Sequence, residues 1–181
     1  MAKKRSRSLI IDASVAHAAG PEEAVHPTAK HCRDFLLAVL DICHRMTVSA
    51  AIDEEWNEHQ SGFARRWRRS MFAKKKIDRV EVNADETLRH QLEDVAATDK
   101  QRNAMLKDVY LIEAALVADL RVVALDEAVR NLFRDAALSV AALRKVYWVN
   151  PDKEGESPLA WLQSGAPPDT FRRLDHRSEE D

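Results

Sequence analysis

The 181-residue chain is short of the residues that punctuate or cross-link a fold: four glycines, six prolines and two cysteines. So little glycine and proline excludes a collagen-like or low-complexity chain. Cys32 and Cys43 fall within one expected helix, about 16 Å apart along its axis at 1.5 Å per residue, which is too far to bridge. They read as reduced, packed thiols. No stretch approaches the roughly 18 apolar residues of a membrane helix, and "MAKKRSRS" leads into a run too short for a secretory signal. No membrane association and a cytoplasmic location are therefore expected. Nor is there an excess of either charge. With 28 basic and 30 acidic residues the net charge is -2, which excludes a global positive field but not local basic patches.

What the chain does have is apolar patterning. Hydrophobic residues make up 45% and charged residues 32%, the balance of a globular protein. This length suits one domain that buries roughly two-thirds of the surface its unfolded form exposes. "SLII" (8 to 11), "RVVAL" (121 to 125) and "VYWV" (146 to 149) read as buried strands, and "MTVS" (46 to 49) as a weaker one. Between them lie helical patterns. Phe35, Leu36, Val39, Leu40 and Cys43 recur at three-and-four spacing, Ser49 can cap "AAIDEEWNEH", Leu88, Leu92 and Val95 mark a helix, and Thr98 or Asp99 can cap "QRNAMLKDVYLIEAALVAD". "DEAVRNLFRDAAL" continues the alternation.

Alternating strands and helices predict an α/β fold, a three-layer α/β/α sandwich around a central, mainly parallel sheet. The expected organisation is a basic leader (1 to 7) and a single domain (8 to 166), with an extended helical, partly basic segment at about 57 to 97. A flexible tail (167 to 181) would follow.

In a parallel sheet the site lies beyond the carboxyl ends of the strands. Asp12 immediately follows the first strand and Asp126 the run "RVVAL", so two acids distant in sequence should meet at one edge. An ordinary strand-to-turn boundary would also end on Asp and Ser. Asp108 shares a helical face with Ala104, Leu111, Ile112 and Ala115, where a carboxylate is costly to bury unless something pairs with it; the alternative is a margin position that reaches solvent. It is expected in the first turns of its helix, near the same edge. Asp53, Glu54 and Glu55 all fall early in the helix after Ser49. One or two of them can face inward, while the others complement the helix dipole.

Three or four carboxylates without matching cations repel one another, and a divalent ion removes that conflict. Hard oxygen ligands favour Mg²⁺ or Mn²⁺, a chemistry suited to phosphodiester hydrolysis. Neither His26 with His31 nor His44 with His59 has helical ligand spacing with an acid between, and all four are expected at the surface. "FARRWRRSMFAKKK" places Arg65, Arg66, Arg68, Arg69, Lys74, Lys75 and Lys76 around Trp67 and Phe72. Such a patch can neutralise phosphates and stack bases. It can equally be a solvated face whose Trp67 and Met71 pack inward.

The set "LIIDASV", "VSAAIDEEW", "KDVYLIEAAL" and "VVALDEAV", in this order over roughly residues 8 to 150, resembles the PIN-domain family, which includes VapC-like toxin ribonucleases. The resemblance implies a PIN-like fold and a metal-dependent endoribonuclease whose products end in 5'-phosphate and 3'-hydroxyl. It implies Asp12, Glu55, Asp108 and Asp126 as catalytic and metal-binding acids. Glu55 is preferred to Glu54 because the family's acid follows the serine by six residues. Ser14 would steady a metal-bound water. RNA, a cognate antitoxin protein and a second copy of the chain are the partners it adds. Two features depart from the pattern: Ala124 stands where a hydroxyl is common, and the segment between Glu55 and Asp108 is long. Asp119 returns to the face of Asp108 but about 16 Å along the axis, at the opposite end, and is expected to be structural. Two other readings remain. One is a catalytically weak PIN-like module that binds RNA or protein; the other is an aspartyl-phosphate phosphatase or receiver, for which Ser14 stands where a phosphatase needs a second acid.

Overall fold

The computed structural model describes residues 6 to 177, a three-layer α/β/α sandwich. Its five strands are β1 (Ser8–Ile11), β2 (Arg45–Val48), β3 (Ile77–Arg79), β4 (Arg121–Val123) and β5 (Tyr147–Val149). All pairings are parallel and the order is β3-β2-β1-β4-β5. Leu9 pairs with Met46 on one side and Arg121 on the other, and Ile11 pairs with Val123. Leu9, Ile10, Ile11, Val122 and Val123 are all fully buried, since helices cover both faces of the sheet and leave no polar side to alternate with.

The helices are α1 (Ala13–Ala18), α2 (Pro27–Asp41), α3 (Ala50–His59), α4 (Gly62–Ala73), α5 (Glu86–Val95), α6 (Asp99–Val117), α7 (Glu127–Ala136) and α8 (Pro158–Gln163). One group packs α1 on α2 and α3, and α2 on α4 and α8; the other packs α6 on α5 and α7. From β1 the chain steps outward to β2 and β3, then returns through α5 and α6 to place β4 on the other side of β1. The strand order therefore reverses between β1 and β4, the position at which sheets of this kind open a crevice. No helix of the described residues is long and apolar enough to cross a membrane.

Several expectations are corrected. The 57 to 97 segment contains an unexpected edge strand, β3, whose three half-buried or exposed residues carry no apolar alternation to read. The described part of the tail is packed. Leu174 is fully buried and donates its N–H to the Val146 carbonyl (3.0 Å), and Arg173 bridges antiparallel to Tyr147, covering the edge of β5. One apolar side chain in a polar stretch suffices to dock it on an otherwise open edge. Residues 178 to 181 of that tail, and residues 1 to 5 of the basic leader, lie outside the described residues. Within the leader, Arg7 pairs with Asp119 (3.4 Å). Cys32 is buried but Cys43 is exposed beyond the end of α2, and neither forms a disulfide. His44 is fully buried, accepting from Arg7 N–H at Nδ1 (3.2 Å) with Nε2 2.8 Å from the Leu162 carbonyl. His31 is half-buried between Asp152 and Glu154.

Candidate active site at the switch point

Asp12 caps α1 where β1 ends. Its N–H continues the ladder to the Val123 carbonyl (2.9 Å), which fixes the backbone. Its Oδ2 accepts from Ser14 N–H (3.1 Å) and its Oδ1 from the Tyr110 hydroxyl (3.1 Å), which fixes the side chain. The Ser14 hydroxyl in turn accepts from Leu125 N–H (3.3 Å), tying the start of α1 to the chain leaving β4. Behind Asp12, the indole N–H of Trp56 donates to the Ile11 carbonyl (2.7 Å), and the Trp56 ring stacks on Trp67 at 5.7 Å. Replacing Trp56 with phenylalanine leaves that buried carbonyl unpaired and is expected to cost about 1–2 kcal/mol in urea denaturation. A cost near zero would show that this bond does not hold the end of β1.

Asp126 caps α7 directly across the switch point and accepts from Val129 N–H (2.9 Å). It is exposed. Glu55 stands on the second turn of α3 with His59 Nε2 at 3.5 Å. Asp108 is not in the first turns of its helix. It is the tenth of the 19 residues of α6, because the Thr98 cap starts that helix well before the sheet edge. It nevertheless reaches the site. A cleft of about 290 Å³ is lined by Asp12, Ser14, Glu55, Asp108, Tyr110 and Asp126. Burial pushes the Asp108 carboxyl up to about 6, the negative charge of Asp12 adds to it, and Asp126 and Glu55 contribute while Lys107 opposes them. Burial and the adjacent Asp12 likewise raise the Tyr110 phenol above its ordinary range, so it stays a donor to that carboxylate.

The four carboxylates supply oxygen donors, the ligand type of Mg²⁺ and Mn²⁺, and the imidazoles of His17 and His59 also line the cleft. Among the described residues, however, no three His, Cys, Asp or Glu side chains are gathered closely enough to hold a metal ion as they stand. The donor set therefore suits a hydrated ion that takes one or two carboxylates directly and keeps its waters, rather than a closed protein cage.

The neighbouring acids have other duties. Asp53 is tied by Arg68 and Arg79, and with the exposed Glu54 it lines a separate cavity of about 840 Å³ on the other side of α3. That cavity is larger but lacks Asp12, Asp108 and Asp126. Asp119 lies at the opposite sheet edge, accepting from Ser8 N–H (3.2 Å) and pairing with Arg121 (3.1 Å).

The basic stretch divides in two. Arg68 is engaged by Asp53, donates to Asn57 (2.9 Å) and lies over the Trp56 ring at 5.8 Å. The Lys76 ammonium donates to the carbonyls of Val39 (2.7 Å), Leu40 (2.8 Å) and Ile42, closing the end of α2. Neither is available to a ligand. Arg65, Arg66, Arg69, Lys74 and Lys75 are exposed. Trp67 is buried, its indole donating to the Leu36 carbonyl (2.5 Å), so only Phe72 of the two aromatics faces solvent.

Sequence reasoning missed four residues of the cleft: His17, His59, Lys107 and Tyr110. The spacing of His59 four residues after Glu55 was a legible signal, since it brings the two side chains together on one helix face. Nothing local marks Tyr110, whose partner is 98 positions away.

Fold and cleft together define an α/β sandwich with an acidic site at its switch point. Compared with family models, curated proteins and solved structures, the chain matches none of them.

Proposed function

We propose that the chain is a PIN-like endoribonuclease that depends on Mg²⁺ or Mn²⁺ and hydrolyses RNA phosphodiester bonds. The observation that carries this reading is that Asp12, Glu55, Asp108 and Asp126, from four separate elements, line one cleft at the switch point, where burial first and the charge of Asp12 second push the Asp108 carboxyl up to about 6. Asp12, Glu55, Asp108 and Asp126 would hold the ion, one or two of them directly and the others through its waters, and when bound it would supply charge neutralisation and activation of water for attack on phosphorus. The chain's own residues do the positioning. Tyr110 and the Ser14 N–H hold the Asp12 carboxylate in one orientation, and the Ser14 hydroxyl locks α1 against the chain entering α7. Cleavage would leave 5'-phosphate and 3'-hydroxyl ends.

The purified protein is expected to cut single-stranded RNA with Mn²⁺ and not with EDTA. Asp12→Asn is expected to lose at least about a hundredfold in rate, equivalent to ~3 kcal/mol of transition-state stabilisation, while remaining folded by circular dichroism. An Asp12→Asn protein that cuts as fast as its parent rejects the site.

One observation favours a second reading, a catalytically weak module that binds RNA or protein: no three ligating side chains of the described residues meet. Titration calorimetry separates the two. Mn²⁺ binding that disappears in Asp12→Asn supports the nuclease, and no carboxylate-dependent binding supports the module.

A further inference from the structure

The acidic cleft continues into a groove of about 420 Å³ between α6 and the start of α7, and the two share Lys107, Asp108 and Asp126 as walls. Farther along, the groove is lined by Lys100 and Gln101. Among the described residues Lys107 is the only Lys or Arg lining the cleft, and its charge acts on Asp108. Both lysines are exposed, and neither enters an ion pair among the described residues. Seven residues apart, they share one face of α6 about 10 Å from each other, a span of two or three nucleotides.

The other way out of the cleft is less hospitable to a polyanion. It crosses α3, whose Glu54 and Glu58 are exposed and line the 840 Å³ cavity together with Glu81 and Asp53, against a single cation, Arg79, which is paired with Asp53. Only beyond that acidic ridge do Arg65, Arg69 and Phe72 line a pocket, which also holds Arg68 and Arg79, both engaged by Asp53. The conspicuous basic stretch of the sequence is thus separated from the acids by like charge to RNA, whereas the two isolated lysines of α6 are continuous with them.

We infer that single-stranded RNA leaves the cleft along the α6–α7 groove, with Lys107 positioning a phosphate beside the acids and Lys100 a phosphate two or three nucleotides away. This rests on the nuclease reading for the nature of the ligand. The test is fluorescence-anisotropy binding of a labelled 12-nucleotide single-stranded RNA in Mg²⁺, in an Asp12→Asn background that keeps the RNA intact, at several salt concentrations. Lys100→Ala/Lys107→Ala is expected to weaken binding on the order of tenfold and to flatten the salt slope by about 1.4, at roughly 0.7 per lost phosphate contact. Lys107→Arg, paired with native Lys100, is expected to keep the slope, which a merely structural role would not require. Arg65→Ala/Arg69→Ala is expected to change neither quantity. Loss in the arginine pair with none in the lysine pair overturns the route, and so does failure of the parent to bind the RNA at all. Lysine-dependent binding by a protein that never cuts RNA would remove the nuclease reading and leave the route standing.

Discussion

Asp108→Asn is expected to stabilise the protein above pH 6 while abolishing its cleavage of RNA. The folded state holds the Asp108 carboxyl at about 6, against an ordinary value of 3.8. Between about pH 4 and pH 6 the folded chain therefore binds the proton more tightly than the unfolded chain, and stability contributed by this group falls as pH rises through that window. Below it both states are protonated and the group is neutral to stability; above it the penalty is constant. Asparagine cannot ionise, so the variant escapes the penalty. The expected gain over the parent rises from near zero at pH 4 to about 1–2 kcal/mol at pH 7, once solvent screening of a side chain that is not fully buried is allowed for. At about 2–4 °C per kcal/mol for a chain of this size, thermal melts will resolve it.

The same substitution removes a donor from the proposed ion site. With Mn²⁺ at about a hundred times its dissociation constant, the parent is expected to gain ~2.7 kcal/mol and Asp108→Asn much less. Urea denaturation of both proteins at pH 4, 5, 6 and 7.5, with and without Mn²⁺, measures each effect. A stability difference that does not vary with pH would contradict the burial of the Asp108 carboxyl beside Asp12. Opposite signs for stability and activity at one residue are what a functional site built from mutually repelling groups should show.

Arg89→Met carries the second large effect, a loss of about 3 kcal/mol or more in stability. Glu113 lies on the buried face of α6, its side chain only 4% exposed. It is held by both arms of the Arg89 guanidinium (2.8 and 2.9 Å) and by Asp85 N–H (2.8 Å), which together clamp α5 to α6. Removing Arg89 strands a buried carboxylate, a change that costs ~3–5 kcal/mol in general; the partial exposure of Arg89 places this case at the lower end. The Arg89→Met/Glu113→Met double variant is expected to recover much of the loss, because two well-packed apolar side chains can replace a buried pair. Urea denaturation of both singles and the double gives the coupling. A single-variant loss under about 1 kcal/mol would mean that the pair does not fasten α6, the helix that carries Asp108 and Tyr110.

Local patterns determined a good deal of this molecule. The runs "SLII" and "RVVAL" specify buried parallel strands, the second ending at Val123, two residues short of its run, because strands covered on both faces leave no room for polar alternation. An acid directly after each run is then placed at one edge by geometry alone, which is why Asp12 and Asp126 were legible. Asp108 was legible as a carboxylate on an apolar helical stripe, and Glu55, among three adjacent acids, was preferred by resemblance and lies in the cleft. Tertiary structure decided the rest. It placed β3 at an edge, where three residues carry no period; it docked Leu174 over β5; and it took Arg68 and Lys76 out of the basic stretch by giving them partners in α3 and α2. It also supplied Tyr110 to Asp12 and put Lys107 beside the acids. The physical reason is common to these cases. Periodicity records how a segment meets water and core, whereas the partner of a charged or hydroxyl group is set by which distant segment the topology brings within hydrogen-bond reach.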